Sequence, residues 1–350
     1  MASMYEIARE AGVSASTAAR ALRGTGYCSP ESKEKVLAAA KRLGYIPSHA
    51  ARSLKLKRTQ KILFCIPDIY NPFYFRMIKG VTDVLEKYDY FPILCHTRGK
   101  AELELKILRN LQEGYGDGMV FVSFDFNERN IQAVNACGCP VVLTNHYQSP
   151  AGEDKFDCVY VDTYEGIRRA CLHLIDSGYR RIGYIGGGLN QTGRERLAGF
   201  TRAMHERGLT PHQSHCKVGD FSMESGRRNM LELLDDSRPP EALVAANDLM
   251  AIGALQVCKE RHMNIPDDIA IIGMDNSDLA AILGLSSIRM QEEEIGRQAA
   301  TMLMERILRK RQDKRTIRLL PELVLRASTG INVKNVTLLH PSLNRCANCR

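Results

Sequence analysis

From residue 60 to 330, short runs rich in β-branched residues alternate with amphipathic helical stretches. That alternation predicts a parallel sheet with crossover helices. Candidate strands fall at 62–66, 91–95, 118–122, 140–143 and 158–161. A second series follows at 181–185, 216–219, 242–245, 269–273 and 287–290. Between the two series, Ile167, Ala170, Cys171, Leu174 and Ile175 make one apolar helix face after Thr163. Two successive βα series predict an α/β core of two similar doubly wound subdomains facing each other.

The first sixty residues are of another kind. Residues 1–58 hold eleven Lys/Arg against four Asp/Glu, a net of +7, while the rest of the chain holds 37 against 36. Charge concentrated in this way is the footprint of a nucleic-acid-binding head on a neutral body; a solvated basic face is the competing reading. Three short helices are predicted. The first spans about 4–11, the second follows Ser14 as N-cap and runs to about 22, and the third starts at Ser29-Pro30. Val36, Leu37, Ala40 and Leu43 are the expected apolar stripe of the third. Two helices joined by a tight Gly12-Val13 turn form a helix-turn-helix, whose second helix enters the major groove by its N-terminal end. The candidate DNA contacts are Ser14, Ala15 and Ser16 toward base edges, with Thr17 and Arg20 reaching phosphate or a guanine edge. Ala18 reads as helix packing.

The run Ala8-Arg9-Glu10-Ala11-Gly12-Val13-Ser14-Ala15-Ser16-Thr17-Ala18-Ala19-Arg20-Ala21-Leu22 is followed by a segment from Tyr45 to Leu54 that carries Pro47 and Ala51-Arg52-Ser53-Leu54. Together they resemble the signature and hinge of the lactose/galactose repressor (LacI/GalR) family, and the resemblance continues to about Thr329. Ala18-Ala19 stands where the family usually has Val-Ser, and Arg23 where Asn is common. The resemblance implies a head of residues 1–58, with residues 48–56 forming a hinge helix on DNA. There Ala51, Arg52 and Leu54 would lie in the minor groove, Leu54 wedged between base steps. A nine-residue helix is marginal alone in water, which agrees with conditional folding. It also implies a periplasmic-binding-protein-like core over 59–330, crossed three times near 161, 290 and 320. The N-subdomain would then take about 60–160 and 291–320, and the C-subdomain about 161–289 and 321–330. Residues 331–350 read as a ragged tail without leucine heptads, so a homodimer is expected.

Ligands of such sheets bind beyond the carboxyl ends of the strands. The loops there hold Asp68, Tyr70, Asn71, Phe73 and Tyr74, then Asn145, and in the second series Asn190, Thr192, Arg196, Phe221, Asn247, Asp248 and Asp275. Asn71, Phe73, Asn145, Thr192, Arg196, Phe221, Asn247 and Asp275 are the candidate effector-binding residues. Amide, carboxylate and guanidinium groups match the paired hydroxyls of a polyol, and aromatic rings cover its C–H faces. The resemblance supports Arg196, Asn247-Asp248 and Asp275. Each position has an alternative: Asp248 as a helix N-cap, Asn247 and Asp275 as turn residues, Arg196 paired with Glu195 or Glu206, Phe73 and Phe221 as core aromatics.

Other classes fit poorly. Gly186-Gly187-Gly188 between a strand and a helix invites a phosphate-loop reading, but Gln191 stands where the third glycine of such a loop belongs. Neither a nucleophile elbow nor H-E-x-x-H is present, so no enzyme, cofactor or metal is expected. His340 with Cys346 and Cys349 hints at a metal in the tail, against which a single Cys pair weighs. No apolar run reaches membrane-helix length, and the start Met1-Ala2-Ser3-Met4 lacks a secretory pattern, so a cytoplasmic protein with reduced cysteines is expected. The expected function is repression of carbohydrate-utilisation genes through operator DNA, switched by a sugar or sugar phosphate. A purine-responsive repressor is the alternative, and a sugar-processing enzyme a more distant one.

Overall fold

The structure is a computed structural model and describes residues 2–24, 26–45, 53, 58–124, 126–147 and 156–330. The hinge candidates Ala51, Arg52 and Leu54, and the tail with His340, Cys346 and Cys349, lie outside the described residues. The chain divides into two compact units, Met1–Thr59 and a second from Gln60 onward. Among the described residues no helix is long and apolar enough to cross a membrane.

The first unit holds α1 (Met4–Glu10), α2 (Ala15–Arg23) and α3 (Pro30–Arg42). Each begins at a serine whose hydroxyl accepts from a backbone N–H three residues on: Ser3 from Glu6, Ser14 from Thr17, Ser29 from Ser32. The core is Ile7, Ala8, Ala11, Ala18, Ala21, Val36, Ala39 and Ala40, and its many short side chains let the three helices cross closely. The predicted stripe of α3 needs correction. Leu37 and Leu43 are exposed, and Ala39 is buried instead. Leu37 is rotated off the face defined by Val36, and Leu43 is already the C-cap.

Among the described residues the second unit has twelve strands: β1 (Lys61–Ile66), β2 (Phe91–His96), β3 (Gly118–Phe121), β4 (Val141–Leu143), β5 (Asp157–Val161), β6 (Ile182–Gly186), β7 (Cys216–Val218), β8 (Ala242–Ala245), β9 (Ala270–Asp275), β10 (Ser286–Arg289), β11 (Thr316–Leu319) and β12 (Glu322–Val324). They form two six-stranded sheets of order β11-β5-β4-β3-β1-β2 and β12-β10-β9-β8-β6-β7. All neighbours are parallel except β10 and β12. The crossover helices are α4 (Phe73–Leu85), α5 (Ala101–Gln112), α6 (Glu128–Ala136), α7 (Thr163–Asp176), α8 (Gln191–Glu206), α9 (Met223–Leu234), α10 (Asp248–Glu260), α11 (Asp278–Ile282) and α12 (Glu292–Ile307). The ten candidate strands all appear, shifted at their ends by one or two residues. β11 and β12 were not anticipated, because their short sequences TIRL and ELV are partly exposed and lack a continuous apolar run.

Central strands are covered on both faces, as parallel sheets require. In β1, Ile62, Phe64 and Ile66 face one core cluster, while Leu63 and Cys65 face another. The chain passes between sheets at Asp162, at Met290-Gln291 and at Leu320-Pro321. The helices that follow pack closely. A Cβ at Gly80 of α4 would overlap the Glu293 carbonyl, and one at Gly296 of α12 would overlap the Met77 carbonyl. Gly226 and Gly253 stand in the same relation to Met250 and Met223 across α9 and α10. At the start of β5 the buried Asp157 carboxylate accepts from Arg311 Nη2 at 2.6 Å and from the Arg315 N–H at 2.8 Å. This pins β11 beside β5.

Candidate functional site

On the first unit, the N-terminal part of α2 with its cap gathers four of the five candidate DNA contacts of the helix-turn-helix, Ser14, Ser16, Thr17 and Arg20, into one polar patch. The Ser14 hydroxyl lies 2.9 Å from those of both Ser16 and Thr17. Arg20 Nε donates to the Ser16 carbonyl at 3.3 Å. Ser14, Ser16 and Arg20 are exposed, whereas Ala15 and Thr17 are half-buried and Ala15 packs against the domain core. Ala15 therefore serves in part in helix packing.

On the second unit, all eight candidate effector residues line one cleft at the carboxyl ends of the strands. Asn71 and Phe73 come from the loop after β1 and Asn145 from that after β4. Thr192 and Arg196 lie on α8, Phe221 after β7, Asn247 after β8, and Asp275 at the end of β9. The two halves meet here, where Asn145 Nδ2 reaches Thr192 Oγ1 at 3.5 Å.

Arg196 is buried and does not pair with Glu195 or Glu206. Its Nη1 donates to the Ala246 carbonyl, and its guanidinium sits 5.4 Å from the centroid of the Phe221 ring. Phe221 lies against Gly187 so closely that a Cβ there would fall within the ring. The glycine run after β6 is therefore a platform for an aromatic ring. Phe221 also stacks on Phe124, with centroids 5.1 Å apart.

Asn247 and Asp248 differ from the sequence reading in a specific way. Asn247 is the N-cap of α10, accepting from the Met250 N–H at 2.9 Å while its Nδ2 donates to the Phe221 carbonyl at 2.9 Å. Asp248 is buried beneath, accepting from the Ser287 hydroxyl and the Ser277 N–H. Burial pushes the Asp275 carboxyl well above the usual carboxylate range, and the nearby Asp248 adds to it while Arg196 opposes. Burial likewise raises Glu195.

Phe124, His146, Tyr160 and Glu195 also line the cleft and were missed. Phe124 follows β3 as Asn145 follows β4, so the loop rule already used could have found it. His146 is the next residue after Asn145, and Tyr160 lies on β5 just before the first crossing. Asp68, Tyr70 and Asn190 line an adjoining outer recess with His96, Arg98 and Asp220. Three buried polar atoms in the inner cleft, Thr144 Oγ1, Asn145 Oδ1 and Arg196 Nε, have no hydrogen-bond partner among the described residues.

Residues 3–48 match the model of bacterial regulatory proteins, lacI family. Residues 171–329 match that of the periplasmic binding protein-like domain. The chain is 31% identical to catabolite control protein A of Priestia megaterium over 330 residues, 93% of this chain and 98% of that one. It is 32% identical to the HTH-type transcriptional repressor PurR of Aliivibrio salmonicida over 332 residues, 94% and 99% of the two chains. Among solved structures, a complex of the transcriptional regulator CelR with cellobiose is 28% identical, covers 94% of this chain and 100% of that one, and has a TM-score of 0.71. A basic helix-turn-helix, a two-sheet core with a polar cleft, and similarity along almost the whole length lead to one assignment: the chain belongs to the lacI family of bacterial regulatory proteins and is a DNA-binding transcriptional repressor with an effector-binding core.

Proposed function

We propose that an uncharged carbohydrate binds in the cleft, shifts the two subdomains against each other, and so changes how tightly a homodimer holds operator DNA. The observation that carries this reading is the trio of unpartnered atoms on Thr144, Asn145 and Arg196. A buried polar group left unsatisfied costs about 1–3 kcal/mol, so the cleft favours a ligand that brings both donors and acceptors. A sugar hydroxyl is both at once. The cleft lining sets two carboxyl side chains, Asp275 and Glu195, beside Arg196, a lining that suits a neutral sugar better than its phosphate ester. The sugar held by the related CelR supports the same class.

A planar purine is the second reading, favoured by the near-parallel Phe124 and Phe221 rings, 24° apart. Thermal stabilisation with D-glucose, D-ribose, cellobiose, glucose 6-phosphate, hypoxanthine and guanine separates the two. A neutral sugar is expected to raise Tm, and Asp275→Ala or Arg196→Ala to remove roughly 1.5–3 kcal/mol of its binding. Stabilisation by the purines alone would replace the carbohydrate reading. A sugar response intact in both variants would move the site elsewhere.

The homodimer rests on exposed apolar side chains of the second unit. Phe75 on α4, Phe91, Ile93 and Leu94 on β2, and Leu279 and Ile282 on α11 are exposed. On DNA, Ser14, Ser16, Thr17 and Arg20 would read the major groove, and Ala51, Arg52 and Leu54 the minor groove.

A further inference from the structure

At the end of the second sheet opposite the cleft, two histidines and an aspartate converge. His212 and His215 flank a single 3-10 turn, Gln213–His215, leading into β7. In that geometry residues three apart eclipse, which puts both rings on one side. Their centroids are 5.0 Å apart. Asp236, just past the end of α9, faces them, and the donor atoms of all three lie within 4.8 Å of one another. They border a recess that Arg180, Arg181 and Arg238 also line.

We propose that His212, His215 and Asp236 form a binding site for one divalent transition ion of the zinc type. Two imidazoles and a carboxylate are a borderline ligand set suited to Zn²⁺, with water completing a tetrahedron. Ligand atoms around such an ion stand about 3.3–3.5 Å apart, so the exposed His212 has only a short way to move. The His215 ring nitrogen Nε2 lies 3.9 Å from Asp236 Oδ2 and 2.9 Å from the Arg238 carbonyl, so an ion bound at this nitrogen would take the place of the carbonyl contact. Asp236 accepts from the Arg238 N–H at 3.0 Å. The Ser214 hydroxyl lies 2.7 Å from His212 Nδ1 and donates to Asp236 Oδ2 at 2.5 Å, holding the two in register until an ion takes its place.

The surrounding arginines are largely committed. Arg181 pairs with Glu241 at 2.7 Å, and Arg180 donates to the carbonyls of Ile175 and Tyr179. The ion would tie the turn before β7 to the end of α9, on the face away from the cleft. Its expected effect is a cross-link that stiffens this edge and leaves effector and DNA binding unchanged.

The experiment uses the full chain carrying Cys346→Ser and Cys349→Ser, so that thiols of the tail do not contribute. One equivalent of Zn²⁺ should bind and raise Tm by several degrees. His212→Ala, at an exposed position that leaves the fold intact, should weaken Zn²⁺ binding at least about tenfold. Asp236→Asn should do the same. Co²⁺ in place of Zn²⁺ should show visible ligand-field bands without the thiolate-to-metal charge transfer that cysteine ligands produce. A Zn²⁺ shift unchanged in His212→Ala, a thiolate band with Co²⁺, or stabilisation by inorganic phosphate in place of Zn²⁺ would each overturn the proposal.

Discussion

Phe221 is held by contacts with Gly187, the Phe124 ring and the Arg196 guanidinium. Replacing Gly187 with alanine puts a methyl group where the ring now lies, and the ring, as the far end of a side chain, is what gives way. The expected outcome is a small loss of stability, under about 1 kcal/mol, with a much larger loss of ligand-induced stabilisation. Equal ligand response in Gly187→Ala and the parent would show that the ring position is unimportant.

Glu292, at the second crossing, is buried, and burial raises its carboxyl to about 7. The folded state therefore holds this proton more tightly than the unfolded chain does. Stability from this group is lost as pH rises from the unfolded carboxylate value, about 4.3, through 7, with no further loss above. Glu292→Gln should flatten that part of the stability–pH curve and leave the variant more stable than the parent at pH 8, measured by urea denaturation. An unchanged curve would rule this out. At this scale the sequence was legible where a loop position alone decides, as for Asn145 or Asp275. It was illegible where neighbours compete, because Asn247 and Asp248 are both good N-caps and only the extended backbone of Asn247 selects between them.

Among elements, the pairing of α4 with α12 depends on two glycines that let backbone meet backbone. Gly296→Ala should push these helices apart and cost about 1–3 kcal/mol, the usual penalty of overpacking, seen as a lower denaturation midpoint at constant m-value. An alanine at the half-buried Gln298 of α12 should change little, so a similar loss at Gln298→Ala would point to general helix effects instead. The major strands and helices were legible because their apolar periods are long and clean. β11 and β12 were not, since they owe their pairing to distant partners. β11 is positioned by Asp157, which Arg311 and the Arg315 N–H grip from the far end of the chain. No local pattern records such a contact.

For the molecule as a whole, the separation of charge predicts its behaviour on DNA. Binding should weaken steeply with salt, log K falling by about 0.9 per phosphate contact for each tenfold rise in salt concentration. Arg20→Ala should reduce operator affinity more than affinity for random DNA, measured by fluorescence anisotropy. Salt-insensitive binding would contradict the assignment of the basic head. The two-unit plan and the doubled sheet could be read from charge and periodicity, whereas the depth of the cleft could not, because it depends on loops brought together from both sheets.

The late strands carry a cost during synthesis. β5 emerges with one edge open, and its neighbour β11 is not made until nearly half the chain has followed; β12 closes the second sheet only after that. At roughly 5–20 residues per second, the ribosome leaves the Val159–Val161 edge unpaired for a time on the order of ten seconds. A bare, apolar strand edge is a template for pairing with other chains. The nascent protein is thus most exposed to aggregation in the interval before its final strands appear, and a message truncated ahead of residue 316 would yield a chain in which neither sheet can be finished.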